Sequence, residues 1–354
     1  MSAPADWYAL TRAARRLLVI EPGMLGDTIH LLPALWELRR NYPQAELHVL
    51  CSPVGAEVLQ LAGCTDRLWT LEQHRERRRV TEQFRVLRAL RSLRFEASIN
   101  FNDHDRNVIH AGLIGARHRL GPRRGNWHFW SRWCIQHWAG PPDRQQPVFE
   151  QRRQMLTACG LSLQPARFDL RPPAADAQWA EENIPAGSVH LSINAASTPL
   201  NEWPLEHSVE LAKILFRKHP GLHLIASASA QPREQERMAR FRAQLDHPRL
   251  KILPPDLAIA RLTAALQRCR LHLGPDSGGV HLAGALGVPT LSLFRESAGR
   301  AEWRPTGLGH RHFTVACACY QKPSPDCLAR GRAECLAGIT PSAVATAVGE
   351  MLAG

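Results

Sequence analysis

Short apolar runs alternate along this chain with longer stretches whose apolar positions recur every three to four residues. The runs Leu17–Ile20, Glu46–Cys51, Ala97–Phe101, Val189–Asn194, Leu222–Ala226, Leu271–Leu273 and Pro289–Leu293 predict strands. The amphipathic stretches Asp27–Asn41, Phe84–Arg94, Glu150–Cys159, Leu205–His219, Gln231–Leu245 and Ala258–Cys269 predict helices. A strand–helix–strand rhythm of this kind implies parallel sheets covered by helices on both faces.

The rhythm occurs twice. The first series ends near Cys159, and "LSLQPARFDLRPPAADAQ", rich in proline and without period, reads as a linker. The second series starts near Val189. Thr340 and Pro341 then open a last helix as N-cap and first helical residue, with Val344 and Val348 four apart on one face. The predicted fold is α/β, two Rossmann-like doubly wound domains facing a cleft. The predicted boundaries are 1–165, 166–338 and a C-terminal helix over 339–354 directed back towards the first domain. Ligands of such sheets bind outside the carboxyl ends of the strands, so the junctions there are the places to look for chemistry.

Composition narrows the class. With 354 residues, 44% of them apolar and 21% charged, the chain is an ordinary globular protein, too poor in Gly and Pro to be fibrous or disordered. No stretch reaches the ~18 apolar residues of a membrane-spanning helix. Met1–Tyr8 holds no long apolar run and the nine cysteines are an odd count. The expectation is therefore a reducing, cytoplasmic setting and free thiols. Net charge is +12, and between Arg75 and Arg132 there are 14 Arg against 5 acidic residues. That concentration points to an anionic partner of the first half: nucleic acid, lipid surface or phosphorylated substrate. Arg85, Arg88, Arg91 and Arg94 recur every three residues as one stripe, either a solvated face or an anion-docking surface. No nucleic-acid-reading motif accompanies it, so nucleic acid is not expected. Trp127, Trp130 and Trp133, with Phe129 and Trp138, read first as core packing and second as an aromatic edge for membrane or sugar.

Three strand-to-helix junctions carry candidate chemistry. In "LHLGPDSGGVHLAGALGVPTLSLF", Asp276, Ser277, Gly278 and Gly279 stand where a helix exposes unpaired N–H groups. Glycine lets an anion approach them, and Ser277 can cap the helix or donate to phosphate, with His281 one turn on. A capped, buried helix is the plain alternative. In "LLVIEPGMLGDTIHLLPALWELRR", Gly23, Gly26 and Asp27 follow a buried strand. Asp27 is either a cap or a carboxylate able to take a proton from a hydroxyl. In "LSINAASTPLNEWPLEHSVELAKIL", Asn194, Ser197 and Thr198 precede the pair Trp203-Pro204 that starts a helix.

Taken in order, these stretches resemble the heptosyltransferase family, glycosyltransferase family nine. "LGDTIHLLPAL" with "YPQAELHVL", "STPLNEWPLEHSVELAKIL" and "GPDSGGVHLAGALGVPTLSLF" carry the resemblance along most of the chain. It implies the GT-B fold and inverting transfer of heptose from ADP-heptose to a hydroxyl of an anionic acceptor, the lipopolysaccharide inner core in the family's usual case. It implies that Asp27 is the general base. It also implies that Asp276, Ser277, Gly278, Gly279 and His281 cradle the diphosphate, that Glu234 binds the ribose, and that Ser197 and Thr198 contact phosphate. The first domain, with Arg85, Arg88, Arg91 and Arg94, would face the acceptor and the inner face of the membrane.

The chain departs from the pattern at two places. Asn201, followed by Glu202, stands where the family carries a phosphate-binding lysine, and Glu21 where it often has a basic residue. Arg295 or Arg300 is the candidate replacement cation. These departures leave open a different donor sugar, a protein acceptor, or a chain that has kept the fold as a binding protein. No metal or other cofactor is expected. Cys317, Cys319, Cys327 and Cys335 fall within 19 residues, but their spacing fits no common zinc pattern. A metal there is the minor reading, prompted by cysteine-bound iron in protein-modifying members.

Overall fold

The computed structural model describes residues 6–72, 77–122, 128–297, 299–320 and 324–353. The chain divides into two compact units, Met1–Asp169 and Leu170–Gly354, just past the expected boundary.

The first unit holds strands β1 (Arg16–Glu21), β2 (Glu46–Cys51), β3 (Arg67–Thr70), β4 (Ala97–Asn100), β5 (His118–Pro122) and β6 (His137–Ala139). They form one sheet in the order β3-β2-β1-β4-β5-β6, every pair parallel. The centre is β1, where Leu17, Leu18, Val19 and Ile20 are all buried. Consecutive apolar side chains point to opposite faces, so such a strand is stable only when helices cover both. Helix Leu25–Asn41 follows β1 directly and packs against helix Val148–Ala158 and helix Pro53–Ala62.

The second unit holds β7 (Ser188–Ser192), β8 (Leu224–Ser227), β9 (Leu250–Ile252), β10 (Cys269–Pro275), β11 (Thr290–Leu293) and β12 (His310–Phe313). Their order is β12-β11-β10-β7-β8-β9, again parallel throughout. Numbered from its own first strand, this sheet has the same order as the first unit's, the doubly wound arrangement of a Rossmann fold. In each unit the order reverses between the first and fourth strands, β1 and β4 in one and β7 and β10 in the other. That switch point is where the carboxyl ends open a crevice for ligand.

Two expectations change. The predicted linker is partly helical: Ala174–Asn183 forms a helix packed on helix Ile259–Gln267, with Ala180 and Ile184 in a cluster with Ile225 and Ala264. Pro173 supplies its N-cap residue, a position where proline's fixed φ suits a helix entrance. The last helix, Pro341–Ala353, lays its apolar face on helix Leu205–Lys218 of the second unit, where Val344, Ala345 and Val348 join the core. Among the described residues no helix is long and apolar enough to cross a membrane.

Candidate active site

At the first unit's switch point β1 ends on Glu21, and helix Leu25–Asn41 begins four residues later. Asp27 lies in its first turn, where its Oδ2 accepts the Met24 N–H at 2.9 Å. One carboxylate oxygen therefore caps the helix, as the plain reading of the sequence had it, and the side chain stays 28% exposed. Gly23 makes this position available: a Cβ there would lie 2.6 Å from Asp27 Cβ and 2.7 Å from its Oδ2. Behind Asp27 stands Arg152, from helix Val148–Ala158. Its Nη1 donates to the Asp27 main-chain oxygen at 2.5 Å, and its Nη2 lies 3.9 Å from Asp27 Oδ1 and 2.6 Å from Glu21 Oε2. Glu21 also accepts from Asn102 Nδ2 at 2.8 Å. Complete burial pushes the Glu21 carboxyl up to about 7, against the lowering pull of Arg152 and Asn102.

At the second unit's switch point β10 ends on Pro275, and Asp276 and Ser277 lead into helix Gly278–Ala285. Ser277 occupies the N-cap with extended backbone, and its side chain makes no cap bond. Its Oγ is buried without a hydrogen-bond partner among the described residues. Asp276 Oδ1 lies 3.4 Å from His281 Nε2, and the His281 ring meets Trp303 edge to face. Gly279 leaves room for His272 below, whose Cε1 would be 3.1 Å from a Cβ. His272 shares a 2.8 Å Nδ1–Nδ1 hydrogen bond with His190, whose Nε2 meets Ser227 Oγ at 2.9 Å. Burial lowers both imidazoles, His190 to about 4 and His272 well below its ordinary value.

The β7 side of the same crevice carries Asn194, buried, with neither amide atom partnered among the described residues. Thr198 caps the short turn Pro199–Asn201 by accepting the Leu200 N–H at 3.3 Å. Asn201 donates to Ser197 Oγ at 3.3 Å and accepts from Arg295 Nε at 3.0 Å. Of the two candidate cations, Arg295 is thus the one at Asn201; Arg300 is engaged by Glu296 at 2.5 Å and Thr314 at 2.8 Å. Glu202 is buried, accepts the Ala195 N–H at 3.2 Å and is held by Arg233 and Arg237, which makes it a brace of this loop. Glu234 is buried in the first turn of helix Pro232–Gln244, its Oε2 accepting both the N–H and the hydroxyl of Ser229 at 2.9 Å.

Residues 83–330 match the sequence profile of Glycosyltransferase family 9 (heptosyltransferase). The chain belongs to that family. Among curated proteins it is similar to the lipopolysaccharide core heptosyltransferase OpsX of Haemophilus influenzae, 24% identical over 294 residues that cover 80% of each chain. Among solved structures it is similar to E. coli ADP-heptose LPS heptosyltransferase II, with a TM-score of 0.75, 19% identity and coverage of 96% of this chain and 98% of that one. It is also similar to the iron-containing dodecameric glycosyltransferase TibC of enterotoxigenic E. coli, with a TM-score of 0.56, 14% identity and coverage of 96% and 76%. Both structural likenesses concern the fold: the two Rossmann-like units are the pair of GT-B.

Several features of this family 9 glycosyltransferase stand apart from the two switch points. Cys319, Cys327 and Cys335 are buried and Cys317 half-buried, packed with Leu200 and the second unit's core. Their thiols take main-chain N–H groups: Cys317 that of Cys319, Cys319 that of Ser324, Cys335 that of Glu296. Residues 321–323 of this stretch lie outside the described residues, among which no group of His, Cys, Asp or Glu is arranged to hold a metal. The arginine stripe is broken. Arg85, Arg88 and Arg91 sit exposed on helix Arg77–Ser92 over buried Leu87 and Leu90, but Arg94 follows the helix end at φ 51°. Arg91 donates to the Leu113 carbonyl at 2.8 Å. Trp130 and Trp138 pack against the core, whereas Phe129 and Trp133 are 71% and 64% exposed and meet edge to face. Arg75, Arg123, Arg124 and Trp127 lie outside the described residues.

Arg152, Arg233 and the His190–His272 pair were not singled out from sequence. The histidines had a signal, since each interrupts an apolar strand ("VHLS", "LHLG"). Arg152 had none, being one of two adjacent arginines in an amphipathic helix.

Proposed function

We propose that this heptosyltransferase moves heptose from ADP-heptose, with inversion, to a hydroxyl of the phosphorylated lipopolysaccharide core. The observation that carries the reading is that the family's motif residues stand at the switch point of each unit: Asp27 beside β1, and Ser277, Gly278 and Gly279 beside β10. Its similarity to a lipopolysaccharide core heptosyltransferase and to an ADP-heptose heptosyltransferase supports the donor and acceptor class.

The acceptor oxygen attacks the anomeric carbon from the face opposite the leaving group. Asp27 takes the hydroxyl proton as that bond forms, and the bond to the ADP phosphate oxygen breaks. The unpaired N–H groups at the start of helix Gly278–Ala285, with the free Ser277 hydroxyl, stabilise the charge that develops on ADP. Arg295, held by Asn201, supplies beside Ser197 and Thr198 the cation that a lysine gives other members. Glu234 takes the ribose. No metal is required, because backbone donors and Arg295 do its work. A screen of nucleotide sugars for thermal stabilisation tests the donor: ADP-heptose must stabilise more than UDP-, GDP- and CMP-sugars. Asp27→Asn must keep that stabilisation and lose transfer. Near-normal turnover in Asp27→Asn would end the base assignment.

The exposed Arg85, Arg88 and Arg91, with Phe84 exposed on the same helix and Leu113, whose carbonyl Arg91 binds, exposed on the next, fit docking at an anionic membrane face that presents the acceptor. Sedimentation with anionic liposomes at low and high salt tests this; no binding at low salt refutes it.

A further inference from the structure

Resting on the reading of Asp27 as base, we propose that Arg152, itself clamped by Glu21, is a positioning residue that fixes Asp27 through its main-chain oxygen and stays beyond hydrogen-bond distance of its carboxylate. An arginine in close contact with a carboxylate stabilises the charged form and makes it a poorer proton acceptor. Here the guanidinium divides its contacts unequally. Nη2 is 2.6 Å from Glu21 Oε2, Nη1 is 2.5 Å from the Asp27 main-chain oxygen, and Asp27 Oδ1 is left at 3.9 Å. Arg152 thus grips the backbone of the residue, while Glu21 draws the guanidinium off its carboxylate. The other carboxylate oxygen, Oδ2, takes the Met24 N–H.

Both members of the clamp are sequestered, Glu21 fully and the Arg152 side chain 4% exposed, so solvent does not screen the arrangement. Other charged residues of the packed elements include Asp105 and Arg106 at the start of helix Asp105–Ile114, which packs on β1 and β4. Arg153 is held by Glu37 and Glu150, Glu57 of the neighbouring helix is exposed, and Arg16 lies at the opposite end of β1. On the β4 side Asn102 binds Glu21, followed in sequence by Asp103. His30, one turn beyond Asp27, stacks on Phe149.

The test is the pH dependence of kcat/KM for acceptor, measured on the full chain for wild type, Glu21→Gln, Arg152→Lys and Arg152→Gln. Glu21→Gln keeps shape but releases the guanidinium towards Asp27. The acid limb is expected to move to lower pH by about one pH unit, with turnover at neutral pH falling on the order of tenfold. Arg152→Lys is expected to retain more turnover than Arg152→Gln at unchanged KM for the nucleotide sugar. An acid limb unmoved in folded Glu21→Gln overturns the proposal, as does equal turnover in the two Arg152 variants. Asp27→Asn run alongside separates the two readings. If it is inactive while Glu21→Gln keeps the wild-type profile, only the clamp fails; if it is active, the base assignment fails and the clamp with it.

Discussion

Gly23→Ala is the sharpest test of how the first unit's crevice is built. The added methyl would stand 2.6 Å from Asp27 Cβ and 2.7 Å from its Cγ and Oδ2. Carbon atoms pack at roughly 3.5–4.0 Å, so the overlap is about 1 Å against three atoms of one side chain. Asp27 cannot rotate away freely, because its Oδ2 is bonded to the Met24 N–H and its carbonyl to Arg152. Either the bond to Met24 breaks or the turn shifts. Overpacking of this size costs about 1–3 kcal/mol, a loss of several degrees in melting temperature for a unit of this length. The effect on catalysis is larger, since a displacement of about 1 Å in a reacting group lowers the rate on the order of a hundredfold. Initial rates at saturating donor and acceptor read the second effect, and ADP-induced thermal stabilisation serves as control because the proposed ADP site lies in the other unit. The reasoning is refuted if the variant melts within a few degrees of wild type and turns over at the wild-type rate.

Arg295→Ala should raise the KM for the nucleotide sugar about tenfold or more, the worth of a charge-assisted hydrogen bond of about 1.5–3 kcal/mol, with kcat far less affected; an unchanged KM removes Arg295 from the site. Asn201→Lys alone should not improve donor binding, because it sets a second cation against Arg295, whereas the double variant Asn201→Lys/Arg295→Ala should recover it; recovery in the single variant would contradict this. His190 is held near 4 by burial and titrates near 6.5 when unfolded, so the unfolded chain binds more protons between those values and stability is lost as pH falls through that window. Melting curves from about pH 7 to pH 4.5 should therefore fall more steeply for wild type than for His190→Gln, and parallel curves would dismiss the effect. Transfer should persist after exhaustive treatment with EDTA, and loss of activity restored by one metal would overturn the metal-free mechanism.

The central strands were legible because burial on both faces leaves continuous apolar runs, as in "LLVI" of β1 and "LHLG" of β10. β3 ("RLWT"), β6 ("HWA"), β9 ("LKI") and β12 ("HRHF") escaped because they close the four sheet edges, where short, polar strands are the rule. β5, next to an edge and ending in Gly-Pro, escaped with them. The helix Ala174–Asn183 was hidden by the prolines before it, although Pro173 at its entrance is compatible with a helix start. Among the candidate residues, Asp27 and Ser277 carried a signal in the sequence, glycines standing where an apolar run gives way to a helix. What could not be read were partnerships across distance. Arg152 meets Glu21 across 131 residues, and Arg295 meets Asn201 across 94. Composition gives such arginines no mark; the fold alone selects them from the 44 Lys and Arg of the chain.

Two sheets of identical strand order pose a question of their own: what would fit one crevice to the alcohol and the other to the diphosphate of the proposed reaction. Topology does not decide it, since each unit offers a helix N-terminus beside its first or fourth strand. The difference is in what answers that positive end. In the first unit the chain supplies its own anion, Asp27 on the Met24 N–H, with Glu21 behind it absorbing the charge of Arg152. An acidic side chain thus already stands in the first turn of that helix, 28% exposed, with its Oδ2 on the Met24 N–H. In the second unit no acidic side chain stands in the first turn, Ser277 Oγ has no hydrogen-bond partner among the described residues, and Gly278 and Gly279 put no side chain before the N–H groups. Asp276, the nearby acid, lies instead against His281. That helix end is left for an external anion. One backbone plan can thus accommodate the proposed base in one unit and the proposed anion site in the other, according to whether the anion at the helix end belongs to the protein or to the substrate.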